Sequence, residues 1–102
     1  MSEFFLSDAE LMARTFGVVL GAASCNGLVS CERRNTIARK MQSVLTAAAN
    51  NDKEAKVAQE RFAAAVLAGR RAAQSGAIED WAAERALQQI EDDLDRAPLM
   101  LD

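Results

Sequence analysis

Two thiols and a cluster of carboxylates are the residues of this chain with chemistry to offer. Cys25 and Cys31 are its only cysteines, they bracket Asn26-Gly27, and histidine is absent throughout. Without imidazole there is no Ser-His or Cys-His pair and no histidine ligand for zinc or haem. A Cys-x-x-Cys redox pair is also missing, because the two thiols are six positions apart. Across a tight turn that separation can bring two Cα atoms within disulfide range. Three readings stay open. The first is a structural disulfide in an exported protein, with stabilisation of about 2 kcal/mol. The second is two inert thiols in a reducing compartment, and the third is a redox switch.

The carboxylates concentrate toward the C-terminus in Glu91-Asp92-Asp93-Leu94-Asp95. With Ile90 and Leu94 turned inward, Glu84, Gln88, Glu91 and Asp95 line one flank of a helix. Carboxylates near a helix C-terminus oppose the helix dipole at about 0.3–1 kcal/mol each. A helix that accepts this cost can use them. Glu84, Glu91, Asp92 and Asp95 are therefore the candidate metal ligands, suited to a hard cation such as calcium or a trivalent lanthanide. An ordinary solvated acidic face is the simpler alternative. No EF-hand pattern is present.

Trp81 has two possible roles. On the same projection it points away from the core, where it would anchor a partner. In the first turn of its helix it could instead fold over the end of the domain. The apolar tail Leu99-Met100-Leu101 must pack somewhere or serve a partner.

These residues need a scaffold, and the composition specifies one. The chain has 102 residues, one proline and an apolar half with few aromatics; much of that half is alanine, the best helix former. One domain spanning residues 1–102 is expected, all-α, as an antiparallel up-down-up-down four-helix bundle. Turn signals and 3.6-residue periodicity predict helices over 8–25, 31–49, 52–75 and 78–96, with a tail over 97–102. Ser7-Asp8-Ala9-Glu10 forms a capping box, with Leu6 and Leu11 as its staple. Ser30 and Asn51 cap the second and third helices. Gly27, Ser75-Gly76 and Pro98 act as stops.

The inward faces are Phe5, Ala9, Met12, Phe16, Val19, Leu20 and Ala23; then Ile37, Met41, Val44, Leu45 and Ala48; then Ala58, Phe62, Ala65, Val66, Gly69 and Ala73; and last Ala83, Ala86, Leu87, Ile90 and Leu94. Ala13, Gly17 and Gly21 form a small-residue stripe, for close packing within the domain or for a dimer seam.

In such a bundle Glu3, Asp8, Glu10, Asp52, Glu54, Glu91, Asp92, Asp93, Asp95 and Asp102 share one end. Arg33, Arg34, Arg70 and Arg71 share the other. The net charge is −3 and the pI about 4.9, which argues against nucleic-acid binding. No apolar run is long enough to span a bilayer. Residues 16–25 have the hydrophobicity of a signal-peptide core, but Glu3, Asp8 and Glu10 precede them where positive charge is required. A mature periplasmic form is weighed slightly ahead of a cytoplasmic one.

The stretch from Ala22 to Arg33 resembles the helix–turn–helix joint of TerB-like domains, in which an acidic-Gly-hydrophobic turn precedes an acid-capped helix. Cys25 and Asn26 stand where that family has acids, so the resemblance transfers no metal site. The same stretch is similar to small Ala-rich helical periplasmic proteins of alphaproteobacteria, some of which serve lanthanide uptake; this similarity implies cation binding in general and no particular ligand.

The functional expectation is a small non-enzymatic interaction or adaptor module. Trp81, Leu99, Met100 and Leu101 would contact a protein partner or a second copy of the chain. The alternative is a hard-cation binder with metal-linked dimerisation.

Overall fold

The computed structural model describes residues 8–25, 27 and 29–101, with side chains through Arg96. The chain forms α1 (Asp8–Ser24), α2 (Cys31–Ala48), α3 (Asp52–Gln74) and α4 (Asp80–Leu101). There is no strand among the described residues.

The boundaries follow the local chemistry. Ser30 is extended, and its side chain accepts the Arg33 N–H at 3.1 Å. Asn51 accepts the Glu54 N–H at 2.8 Å, and the Glu54 carboxylate accepts the Asn50 N–H at 3.0 Å. The carboxylate thus reaches one residue further back than a standard capping box requires. At the end of α3, Gly76 has φ +84. There the Ala77 N–H donates to Ala72 O (2.8 Å) and the Gly76 N–H to Ala73 O (3.2 Å), which is the Schellman pattern. Gly27 also takes a left-handed conformation, φ +78.

Two boundaries differ from expectation. α4 begins at Asp80 rather than Ile78, with the Glu79 carbonyl accepting the Ala83 N–H at 3.0 Å. It also continues past Pro98 to Leu101; proline removes one backbone donor, and the turn beyond it still forms. The expected roles of Phe5, Leu6, Ser7, Asn26 and Leu28 lie outside the described residues, as do the side chains of the tail.

Contacts between the helices establish the topology. Along α1 and α3, Glu10 faces Arg61, Gly17 faces Ala65 and Cys25 faces Arg70, so these two helices run in the same sense. Along α2 and α4, Arg33 meets Glu91 and Lys40 meets Asp95, again in the same sense. Between α2 and α3 the direction reverses, and Gln59 donates to the Gln42 carbonyl and the Thr46 hydroxyl. This is the antiparallel four-helix arrangement.

The closest backbone approach joins α1 to α3, although α2 lies between them in the chain. A Cβ on Gly17 would fall 2.5 Å from the Ala65 Cβ and 2.7 Å from the Phe62 carbonyl oxygen. A Cβ on Gly21 would collide with the Val66 carbonyl, and one on Gly69 with the Val18 carbonyl. The small-residue stripe is therefore an internal seam. The domain is a slab of 35 × 35 × 20 Å.

The core is close to the predicted one. Ile37, Met41, Leu45 and Leu87 are fully buried, joined by Leu20, Phe62, Leu94 and many alanines. Met12, Phe16, Val19, Val44, Val66 and Ile90 are half-buried against them. No helix of the described residues is long and apolar enough to cross a membrane.

Candidate functional site

α4 is displaced along α2. Glu91 lies well inside α4, yet it bonds Arg33 in the first turn of α2 at 2.9 Å. At 1.5 Å per residue, the Arg33–Glu91 and Lys40–Asp95 pairs set the start of α4 roughly 9–14 Å beyond the start of α2. The expectation that Arg33 and Glu91 sit at opposite ends of the molecule is therefore corrected.

The same displacement changes the reading of the acidic run. Glu91 accepts from Arg33, and Asp95 accepts from Lys40 at 2.7 Å. Asp93 pairs with Arg96 at 2.7 Å, and Asp92 accepts from Gln88 at 3.1 Å. The expected ligand set of Glu84, Glu91, Asp92 and Asp95 does not converge. Among the described residues no group of three or more Cys, Asp or Glu side chains is placed to hold a metal ion. The physical reason is that α2 brings Arg33 to Glu91 and Lys40 to Asp95, occupying two of the four carboxylates that a metal would need. Lys40 is held protonated above the ordinary lysine range, first by its hydrogen bond to Asp95 and then by that carboxylate's charge.

The cysteines are likewise separate. Both are free thiols. Cys25 follows the last turn of α1, and its Sγ lies 3.7 Å from the Arg70 carbonyl oxygen of α3. Cys31 opens α2 and is exposed. Of the three readings of the thiols, the Cys25–Cys31 disulfide is not supported: Cys25 is directed across the α1–α3 seam toward the Arg70 carbonyl rather than along the connection to α2.

Trp81 is 62% exposed. It lies in the first turn of α4. Of the two roles considered for it, the outward one matches this position. Among the described residues, Leu67 (54%) and Leu11 (50%) are the other exposed large apolar residues.

A feature missed by sequence reasoning lies where α1, α2 and α3 meet. A cavity of about 330 Å³ opens there. Its inner wall is Leu20, Ala38, Phe62 and Val66, and its rim is Ser24, Arg34, Asn35 and Arg70. The sequence groups Arg34 and Arg70 only as part of one basic end of the bundle. The available signal was the pairing of Arg34, one turn into α2, with Arg70, near the end of α3.

Guanidinium groups stay protonated and act as neither acid nor base near neutral pH. The Ser24 hydroxyl donates to the Leu20 carbonyl at 2.6 Å. This combination of groups is suited to holding an anion against an apolar wall. A second, shallower depression of about 480 Å³ lies along α1 and α3 between Arg14 and Arg61, but Arg61 already faces Glu10 at 4.0 Å.

No protein-family model, no curated protein and no solved structure matches the chain. The resemblance to TerB-like joints thus rests on residues 22–33 alone.

Proposed function

We propose that this protein is a small non-enzymatic interaction module that engages a protein partner, or a second copy of itself, through the overhanging start of α4. The observation that carries this reading is the exposure of Trp81. The fold fully buries Ile37, Met41, Leu45 and Leu87, yet leaves its only tryptophan outside. Tryptophan is enriched among the residues that dominate binding energy at interfaces. The tail residues Leu99, Met100 and Leu101 extend the other end of the same helix.

The experiment is sedimentation velocity over a concentration series together with photo-crosslinking from position 81 in cells, comparing the wild type with Trp81→Ala. Association that Trp81→Ala abolishes, with helicity and melting temperature unchanged, supports the module. A monomer at every concentration that yields no crosslinked protein, or a variant whose main defect is a lowered melting temperature, overturns it.

A further inference from the structure

We infer that the cavity between α1, α2 and α3 is a binding site for a small amphiphilic anion: a carboxylate or phosphate head held by Arg34 and Arg70, on a short apolar body lying against Leu20, Phe62 and Val66. The site is separate from Trp81 and does not depend on the interaction reading.

Three observations support it. The first is charge. Two guanidinium groups line one small cavity in a chain of net charge −3. Among the described residues neither has a carboxylate within ion-pair distance, whereas Arg33, Lys40, Arg61 and Arg96 each have one. Two like charges placed together repel unless an anion joins them, and the paired donors of arginine fit carboxylate and phosphate oxygens bidentately.

The second observation is the contrast between wall and rim. Leu20 and Phe62 are buried, Ala38 and Val66 half-buried, while Asn35 and Arg70 are exposed. A ligand would therefore enter with its apolar body inward and its head at the surface. Free inorganic anions would leave the apolar wall unused, and uncharged apolar molecules would leave the arginines unpaired.

The third is size. About 330 Å³ lies at the lower end of the range for small-ligand pockets, about 300–1,000 Å³. That volume suits a chain of several carbons and is small for a folded partner or a nucleotide. The rim also supplies the Asn35 amide, which can donate to the head.

Isothermal titration of the full chain tests the site. The probes are octanoate and octyl phosphate. 1-Octanol keeps the body without the charge, and acetate keeps the charge without the body. The expected result is one site per chain, with octanoate or octyl phosphate binding about tenfold or more tightly than either control. The tighter of the two probes identifies the head group. Arg34→Gln and Arg70→Gln should each weaken that probe about tenfold or more. Both variants should keep the wild-type melting temperature or exceed it without ligand, because each removes a like-charge repulsion. Equal binding of octanoate, octyl phosphate and octanol, or unchanged affinity in both variants, overturns the proposal. So does an affinity loss that Trp81→Ala reproduces while the arginine variants do not.

Discussion

Gly21 of α1 and Val66 of α3 meet backbone against backbone. A Cβ added to Gly21 would overlap the Val66 carbonyl oxygen and stand 2.8 Å from its carbonyl carbon. Backbone has no rotamer with which to yield, so Gly21→Ala must push the two helices apart. Over-packing of this kind typically costs 1–3 kcal/mol, and the expectation here is the upper end, about 3 kcal/mol. Gly69→Ala faces the Val18 carbonyl in the same way and should behave alike. Gly27→Ala is the contrast. Nothing lies within 4 Å of its added Cβ, but φ is +78. Only the left-handed backbone penalises it, by about 1 kcal/mol. Urea denaturation of the three variants should separate these two kinds of glycine.

A second prediction concerns whether α4 belongs to the core. Leu87 is fully buried and Leu67 is 54% exposed. Leu87→Ala removes apolar volume that the surroundings only partly refill, at about 2–5 kcal/mol. For a domain of this size that corresponds to a melting temperature lower by roughly 10 °C or more. Leu67→Ala should stay within about 0.5 kcal/mol of wild type. Equal effects would mean that α4 does not pack as described.

Much of the fold was legible because its signals are local. Ser30, Asn51 and Gly76 act within a few residues of themselves, so the helix boundaries fall almost where the caps place them. The buried faces follow from periodicity for the same reason. What escaped was relative placement. Ala13, Gly17 and Gly21 indicated a close neighbour, but not that the neighbour is α3 rather than α2. The offset of α4 along α2 depends on how Leu87 and Leu94 seat in the assembled core, and no pattern within α4 encodes it. That offset turned Glu91 and Asp95 from candidate ligands into ion-pair partners. The Arg34–Arg70 cavity has the same origin: its walls come from three helices, and its volume exists only once they cross.

The cap of α3 offers a smaller test. Asn51 accepts the Glu54 N–H at 2.8 Å, and both groups are accessible to water. Asn51→Ala should cost about 1 kcal/mol. Asn51→Ser should restore most of it, because a hydroxyl can accept the same N–H. Helicity by circular dichroism near the thermal midpoint would report the difference.

The Lys40–Asp95 pair sets a pH dependence. The hydrogen bond to Asp95 and then that carboxylate's charge, with a smaller contribution from Glu91, hold the Lys40 proton above the ordinary lysine range against the opposing effect of desolvation. A proton bound more tightly by the folded chain stabilises the fold at every pH below the unfolded lysine value, about 10.4. That contribution disappears as pH rises through the higher folded value. The difference in urea midpoint between wild type and Lys40→Met should therefore be constant at neutral pH and shrink above about pH 10. The pair is exposed, so the difference should be small and fall further in high salt.

The last prediction concerns the acidic run of α4. Considered alone, Glu91, Asp92, Asp93 and Asp95 repel one another and oppose the helix dipole, so neutralising them should help. In the folded chain Glu91 instead receives the Arg33 guanidinium at 2.9 Å, and both side chains are about three-quarters shielded from solvent (29% and 23% exposed). Glu91→Gln would leave Arg33 with a weaker, neutral acceptor. A hydrogen bond to a charged group contributes more than a neutral one, so the expected loss is about 1 kcal/mol. Asp95→Asn should cost less, because its pair with Lys40 is exposed. The two losses should not add independently, since Glu91 and Asp95 are neighbours one turn apart on α4 and the Glu91 charge also acts on Lys40. Calcium or lanthanum at micromolar concentration should raise the melting temperature no more than matched ionic strength does, because the ions would have to displace Arg33 and Lys40. A cation-specific rise that the double variant Glu91→Gln, Asp95→Asn abolishes would show instead that the carboxylates release their protein partners for a metal.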